Sequence, residues 1–253
     1  MASSSKYSKG ATRRRACATP RARLDAGVGA FGSKAGMTQV FTEDGLCVPV
    51  TVIAVREGNV VTQVKTAATD GYNAVQVGYD VVREDKITKP EVGHCKKAGA
   101  PALRHLEEFR LRDEPTYEVG AQINVSELFK EGDKVDVRGK SIGKGFQGAV
   151  KRYGFSRGLM THGSKSHRQH GSIGSGTNPG RIYPGKRMHG HMGNEMVTTK
   201  GLTVMSVEDD CIIVKGSVPG KKGSLIKVTP TKKVGDPKWS PTSLGKRPVL
   251  SKK

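Results

Sequence analysis

Fifty-eight consecutive residues, from Val137 to Asn194, contain no Asp or Glu, yet they carry eleven Lys or Arg, five His and fourteen Gly. Elsewhere the chain is not poor in acids, since 23 of its 253 residues are Asp or Glu. The acid-free stretch has no sustained apolar period, so it cannot bury a core of its own. Its cations repel one another and no carboxylate within the segment offsets them. A basic, Gly-rich, core-less segment inside a foldable chain is made to lie against polyphosphate, which points to nucleic acid rather than to catalysis. The segment supplies +11 of a formal charge of +20, in less than a quarter of the length.

The remaining length suffices for one large domain or two small ones. Only 35% of residues are hydrophobic, which suggests that part of the chain does not pack on itself. Cys17, Cys47, Cys95 and Cys211 are widely separated, and none forms a C-x-x-C pair. That spacing fits neither a zinc finger nor a disulfide framework, and predicts isolated reduced thiols. No apolar run approaches the ~18 residues that would span a bilayer. Residues 1–28 form a basic arm rich in Ser, Thr and Ala. Its composition fits an organelle transit peptide and equally an RNA-touching arm, and both readings stay open.

Between Phe31 and Tyr79 the pattern is strand and turn. Residues 37–41, 48–55, 60–66 and 74–79 are β-branched and alternating, separated by Glu43-Asp44-Gly45, Glu57-Gly58-Asn59 and Thr69-Asp70-Gly71. This predicts an antiparallel meander covering half of a closed sheet. The other half follows at 202–207, 211–216 and 224–229. Two β blocks, each too small to bury both faces, predict one closed antiparallel barrel interrupted by an insertion. Residues 135–137 are expected to pair at the edge where the insertion leaves. Residues 102–111 carry Leu103, Leu106 and Phe109 at helical spacing, and 126–129 form a capped turn after Asn124. The fold class is therefore mainly β, a closed barrel with a short α or irregular insertion and a long basic finger. Residues 29–229 make up this domain. Residues 230–253 read as an extended basic tail whose Trp239 could stack on a base or fill a protein pocket.

Gly143–Gly148 matches G-x-G-x-x-G, but a dinucleotide site needs a helix of several turns next and an acid about 20 residues on. Here Gly154 cuts the helix and no acid appears before Glu195. Gly139-Lys140-Ser141 fails as a P-loop, because Lys134 stands where its first Gly belongs. His162, His167, His170, His189 and His191 are interleaved with cations and lack a nearby Cys or acid, so neither metal nor any other cofactor is expected. Ser164, Ser166 and Ser172 lack an orienting carboxylate, and the chain does not read as an enzyme. The residue types fit RNA instead: Gly lets backbone N–H groups approach phosphate oxygens, and spaced cations neutralise phosphates. The candidate contacts are Arg138, Lys140, Lys144, Lys151, Arg152, Arg157, Lys165, Arg168, Arg181, Lys186 and Arg187. Imidazoles at His162, His167, His170, His189 and His191 would stack or donate to phosphate. Phe146, Tyr153, Phe155 and Tyr183 could stack on bases, although Phe146 and Phe155 could equally anchor a small local core.

KAGMTQVF (34–41), VPVTVI (48–53), TQVKTAATDGYNAVQVGY (62–79), GKGFQGAVKRYGF (143–155), THGSKSHRQHGSIG (161–174), PGRIYPGKRMHGHMG (179–193) and VKGSVPG (214–220) resemble the universal large-subunit ribosomal protein three family. The resemblance spans about 29 to 230. ITKPEVGH (87–94), LRHLEEFRL (103–111) and RGLMTHGSKSHR (157–168) are most similar to plastid and cyanobacterial members. With the basic N-terminus this favours a chloroplast stromal ribosome over a bacterial-cytoplasmic or mitochondrial one. The resemblance implies a barrel of the translation-protein type bound to the 3′ domain of the large rRNA, with an early role in assembly. It adds Lys34 to the contacts. It implies a finger at 156–194 whose tip, Ser175, Gly176, Thr177, Asn178 and Pro179, approaches the peptidyl transferase centre. Many bacterial relatives carry a methylated Gln where Thr177 stands, so that modification is not expected. Expected partners are large-subunit rRNA and neighbouring large-subunit proteins, the family's neighbours fourteen and nineteen among them, with no membrane and no small-molecule substrate. A nicotinamide enzyme and a free chromatin-like or mRNA-binding protein are the competing classes.

Overall fold

The computed structural model describes residues 24–232. Cys17, Trp239 and most of the two terminal arms, for which the sequence raised expectations, therefore lie outside the described residues. The strands are β1 (Ala30–Phe41), β2 (Cys47–Ala54), β3 (Gly58–Lys65), β4 (Ala74–Val81), β5 (Leu103–Arg110), β6 (Lys134–Lys140), β7 (Gly145–Gln147), β8 (Gly190–Met192), β9 (Met196–Glu208), β10 (Cys211–Lys215) and β11 (Leu225–Pro230). Among the described residues, four short α-helices accompany them: α1 (Ala67–Asp70), α2 (Lys89–Lys97), α3 (Val125–Leu128) and α4 (Ala149–Tyr153). The chain is mainly β and its named ladders are antiparallel.

Six strands pair in the order β1-β11-β6-β9-β10-β2, and β2 pairs back on β1. Their inward positions follow the period-two alternation of the sequence. Ala30, Ile53, Val135, Val137, Val204, Ile212, Val214, Ile226 and Val228 form one buried cluster, joined by Val125 and Phe129 from the α3 segment. The meander pattern predicts one continuous half of the ring, but the N-terminal strands do not form it. Only β1 and β2 of the N-terminal block enter this ring, whereas β3 and β4 leave it and form a separate three-stranded sheet with β5. β6 is not an edge strand either, since β11 and β9 flank it on both sides.

The two sheets share β1. Ala30 faces the ring interior, and the next residue, Phe31, faces outward into a second cluster with Val61, Val75, Val77, Tyr79, Phe109 and Ile123. Phe31 lies 5.0 Å from Phe109 and 6.5 Å from Tyr79 between ring centroids. Asn59 seals the junction from β3, accepting from the Phe31 N–H at 2.8 Å and donating to its carbonyl at 3.0 Å.

Residues 103–110 are a strand, not the helix expected from Leu103, Leu106 and Phe109. Leu103 and Leu106 pack with α2, while Phe109 packs towards Phe31. A strand covered on both sides need not alternate apolar with polar, so spacing of three is compatible with it. The partner that selects it is the open edge of β4, with Val75 opposite Phe109 and Tyr79 opposite His105. α2 carries a start signal in the sequence: Thr88 and Glu91 form a capping box, with Pro at the first turn.

Candidate nucleic-acid interface

The acid-free segment departs from the end of β6 and returns at the start of β9, and its two legs are tied where they leave the ring. The Ser141 N–H donates to the Glu195 carbonyl at 2.9 Å, and the Asn194 N–H donates to the Ser141 carbonyl at 3.1 Å. The Ser141 hydroxyl also donates to the Glu195 carbonyl at 3.1 Å. Beyond this tie, β7 and β8 form a two-stranded stem with Gly145 opposite Met192, Phe146 opposite His191 and Gln147 opposite Gly190. Gly193 makes the turn into it with φ of 78°. A Cβ there would run into the Ile142 carbonyl as well as strain the backbone. Gly193→Ala is therefore expected to loosen the stem by at least 1–2 kcal/mol, of the order of the left-handed penalty alone. Faster proteolytic nicking between 156 and 189, with the ring intact, is the check.

α4 follows the stem and has only five residues, ended by Gly154 at φ of 72°. That matches the expected interruption and leaves no long helix after the G-x-G-x-x-G run. Tyr153 and Phe155 come from its end and meet side chains from the returning leg. Five rings form a chain: Phe146 with His189 at 5.3 Å, His189 edge-on to His170 at 6.1 Å, His170 with Phe155 at 5.6 Å, and Phe155 with Tyr153 at 6.2 Å. Arg152 and Arg187 both lie over the Tyr153 ring, at 5.0 and 5.8 Å. The Arg152 guanidinium donates to the Met188 carbonyl at 2.9 Å, beside Gly190, which has no side chain to obstruct it.

These contacts separate the sequence-selected residues into two groups. Arg152, His167 and His170 are half-buried and tie the finger together. His170 Nε2 donates to the Arg187 carbonyl at 2.8 Å, and His167 Nδ1 donates to the Leu159 carbonyl at 3.0 Å. The second group points to solvent: Arg138, Lys140, Lys144, Lys151, Arg157, Lys165, Arg168, Arg181, Lys186 and Arg187 are exposed, as are His162, His189 and His191. None of these cations joins an ion pair among the described residues. Lys34 stands apart from both groups, because its ammonium donates to the Val218 and Gly220 carbonyls at 2.7 and 3.1 Å. At the tip, Ser175, Gly176, Thr177 and Asn178 are exposed and Pro179 is half-buried.

The excursion is thus an irregular, cation-studded loop on a pinned stem. Ordinary hydrogen bonds and ring contacts set its path, and its charges stay available. At the root, Ile142, Met196 and Val197 are exposed beside Phe146, and composition did not single out these three.

The family model described as "Ribosomal protein L3" matches residues 110–209, which include the whole excursion. The large ribosomal subunit protein uL3c of Nicotiana tabacum is 56% identical over 216 residues, 85% of this chain and 83% of the relative. That of Arabidopsis thaliana is 55% identical over 84% of this chain and 79% of its own length. A cyanobacterial uL3, from a Synechococcus strain, is 54% identical over 82% of this chain and 98% of the relative. Identity above one half across most of both sequences leaves one conclusion: the chain belongs to the ribosomal protein L3 family.

Proposed function

We infer that the chain is a structural constituent of the plastid large ribosomal subunit and binds large-subunit rRNA through its finger. It is a scaffold and not an enzyme. The observation that carries the RNA-binding reading is the set of ten exposed Lys and Arg side chains, unpaired among the described residues, from Arg138 to Arg187. Cations held at spaced positions on a pinned loop neutralise phosphates and let RNA helices pack closely around it. His162, His189 and His191 add exposed imidazoles that stack on unpaired bases or donate to phosphate.

The ring of six strands is read as a closed barrel of the translation-protein type, forming the domain at 29–229 and docking on the 3′ domain of the rRNA. Residues 156–194 then reach inward, with Ser175 to Pro179 facing the peptidyl transferase centre. Arg152, His167 and His170 act through the shape of the finger more than as contacts, and Lys34 chiefly braces the ring. The partners are rRNA and adjacent large-subunit proteins, the family's neighbours fourteen and nineteen.

Sedimentation tests the reading: the chain is expected to travel with large subunits on a sucrose gradient at moderate salt. A chain that stays at the top overturns it. Binding to an rRNA fragment should also weaken steeply with salt. Roughly six to ten phosphate contacts correspond to a loss of about 10³–10⁵ in affinity between about 50 and 200 mM. A salt-insensitive affinity would exclude phosphate contacts as its source.

A further inference from the structure

The finger's composition has a counterpart earlier in the chain. From Ala35 to Val55, 21 residues pass without a single Lys or Arg, in a chain that has 43 of them in 253 residues. This stretch holds the β1–β2 hairpin. β1 pairs with β11 only over Ala30–Ser33. On the other flank, β10 meets β2 only from Val50 onward. Gln39–Phe41 and Cys47–Pro49 therefore pair with each other as a two-stranded ribbon beyond the last β10 ladder pair, and along all of Met37–Phe41 the outer edge of β1 has no ladder partner among the described residues.

Met37, Gln39 and Phe41 alternate onto one face of this ribbon, opposite Cys47 and Pro49, and all five are exposed. Phe41 is 66% exposed, Leu46 in the turn 63% and Met37 50%. Large apolar groups presented together beside an unpaired strand edge are a liability for a chain in free solution. The turn between the strands carries Glu43 and Asp44. At the base of the ribbon Lys215 pairs opposite Val50 and the Lys222 stem lies beside Gly36.

We propose that the β1–β2 ribbon is a protein-docking site that receives an edge strand of a cation-rich neighbouring protein in the subunit. Charge decides the class of partner. RNA laid here would bring phosphates towards Glu43 and Asp44 with no cation between Ala35 and Val55 to offset them. A protein strand satisfies every feature at once. Its backbone pairs with the free edge of Met37–Phe41, its alternate apolar side chains cover Met37 and Phe41, and its flanking Lys or Arg meet Glu43 and Asp44. The finger and the ribbon thereby divide the work, one facing RNA and the other facing protein. The inference rests on membership of the large subunit for where the partner is met.

Photo-cross-linking in assembled subunits tests it. A benzoylphenylalanine replaces Phe41 in one protein and Tyr183, in the finger, in another. The Phe41 probe is expected to attach to a protein peptide carrying Lys or Arg around alternating apolar residues, and the Tyr183 probe to RNA. Phe41→Glu with Leu46→Glu, both on exposed positions, should reduce retention of that protein at least tenfold while rRNA binding is unchanged. Cross-linking of the Phe41 probe to RNA, to a second copy of the chain or to nothing overturns the proposal. A chain that sediments free of subunits overturns instead the reading on which it rests.

Discussion

Excising residues 156–187 and bridging Phe155 to Met188 with a short Gly-Ser linker is expected to abolish incorporation into large subunits while leaving the protein folded. None of the three buried clusters draws a residue from 141–195 except by way of the strands that flank it. The β7–β8 stem and the Ser141–Glu195 tie remain, so the ring loses no ladder. Circular dichroism and thermal melting should therefore match the intact chain. The excision removes Arg157, Lys165, Arg168, Arg181, Lys186 and Arg187, all exposed. If each neutralises one phosphate, the slope of log affinity against log salt should fall by about four to five. Wild-type sedimentation with an unchanged slope would show that RNA is held elsewhere. Charge-neutral replacement of the six residues, which keeps the loop's length, separates lost charge from lost shape.

The finger was legible because charge is a local property: fifty-eight residues without an acid announce their partner wherever they sit. The stop at Gly154 was legible for the same reason, since one residue ends α4. Strand pairing is not local. Val75 and Val77 alternate as Val48 and Val50 do, and alternation says that one face is buried without saying against what. Hence alternation alone places β3 and β4 in the ring, although they pack across Phe31 from it. At 103–110 the apolar spacing of three fitted a helix, and only the edge of β4 and the cover of α2 made it a strand. Within the finger, the inward roles of Arg152, His167 and His170 depend on the chain reversing between Phe155 and His189. No spacing rule foretells that reversal, so tethers and contacts looked alike in the sequence.

Removing either partner of the Asp25–Lys227 pair is expected to cost several kcal/mol, with the larger loss on the less obvious side. Lys227 is 5% exposed. Its ammonium donates to Asp25 at 2.8 Å and to the Glu108 carbonyl at 2.7 Å, and it lies 4.2 Å from the centre of the Phe109 ring. The pair joins three elements: the segment entering β1, the ring strand β11 and the second sheet through β5. The Asp25 N–H donates to the Arg110 carbonyl at 2.8 Å, so the same residue also extends the edge of β5. In Lys227→Met the apolar stem stays over Phe109 and the abandoned carboxylate, 21% exposed, can rehydrate. That places its cost near 3 kcal/mol, the lower end for breaking a buried pair. Asp25→Ala strands the ammonium, whose side chain is only 6% exposed, and forfeits the contact to the Arg110 N–H as well. Its cost should approach about 5 kcal/mol. The double change should cost less than the sum, because each single change is dominated by the charge it leaves unpaired. Urea unfolding of the four proteins measures all three quantities, and strictly additive losses below about 0.5 kcal/mol each would mean that the pair does not join the sheets.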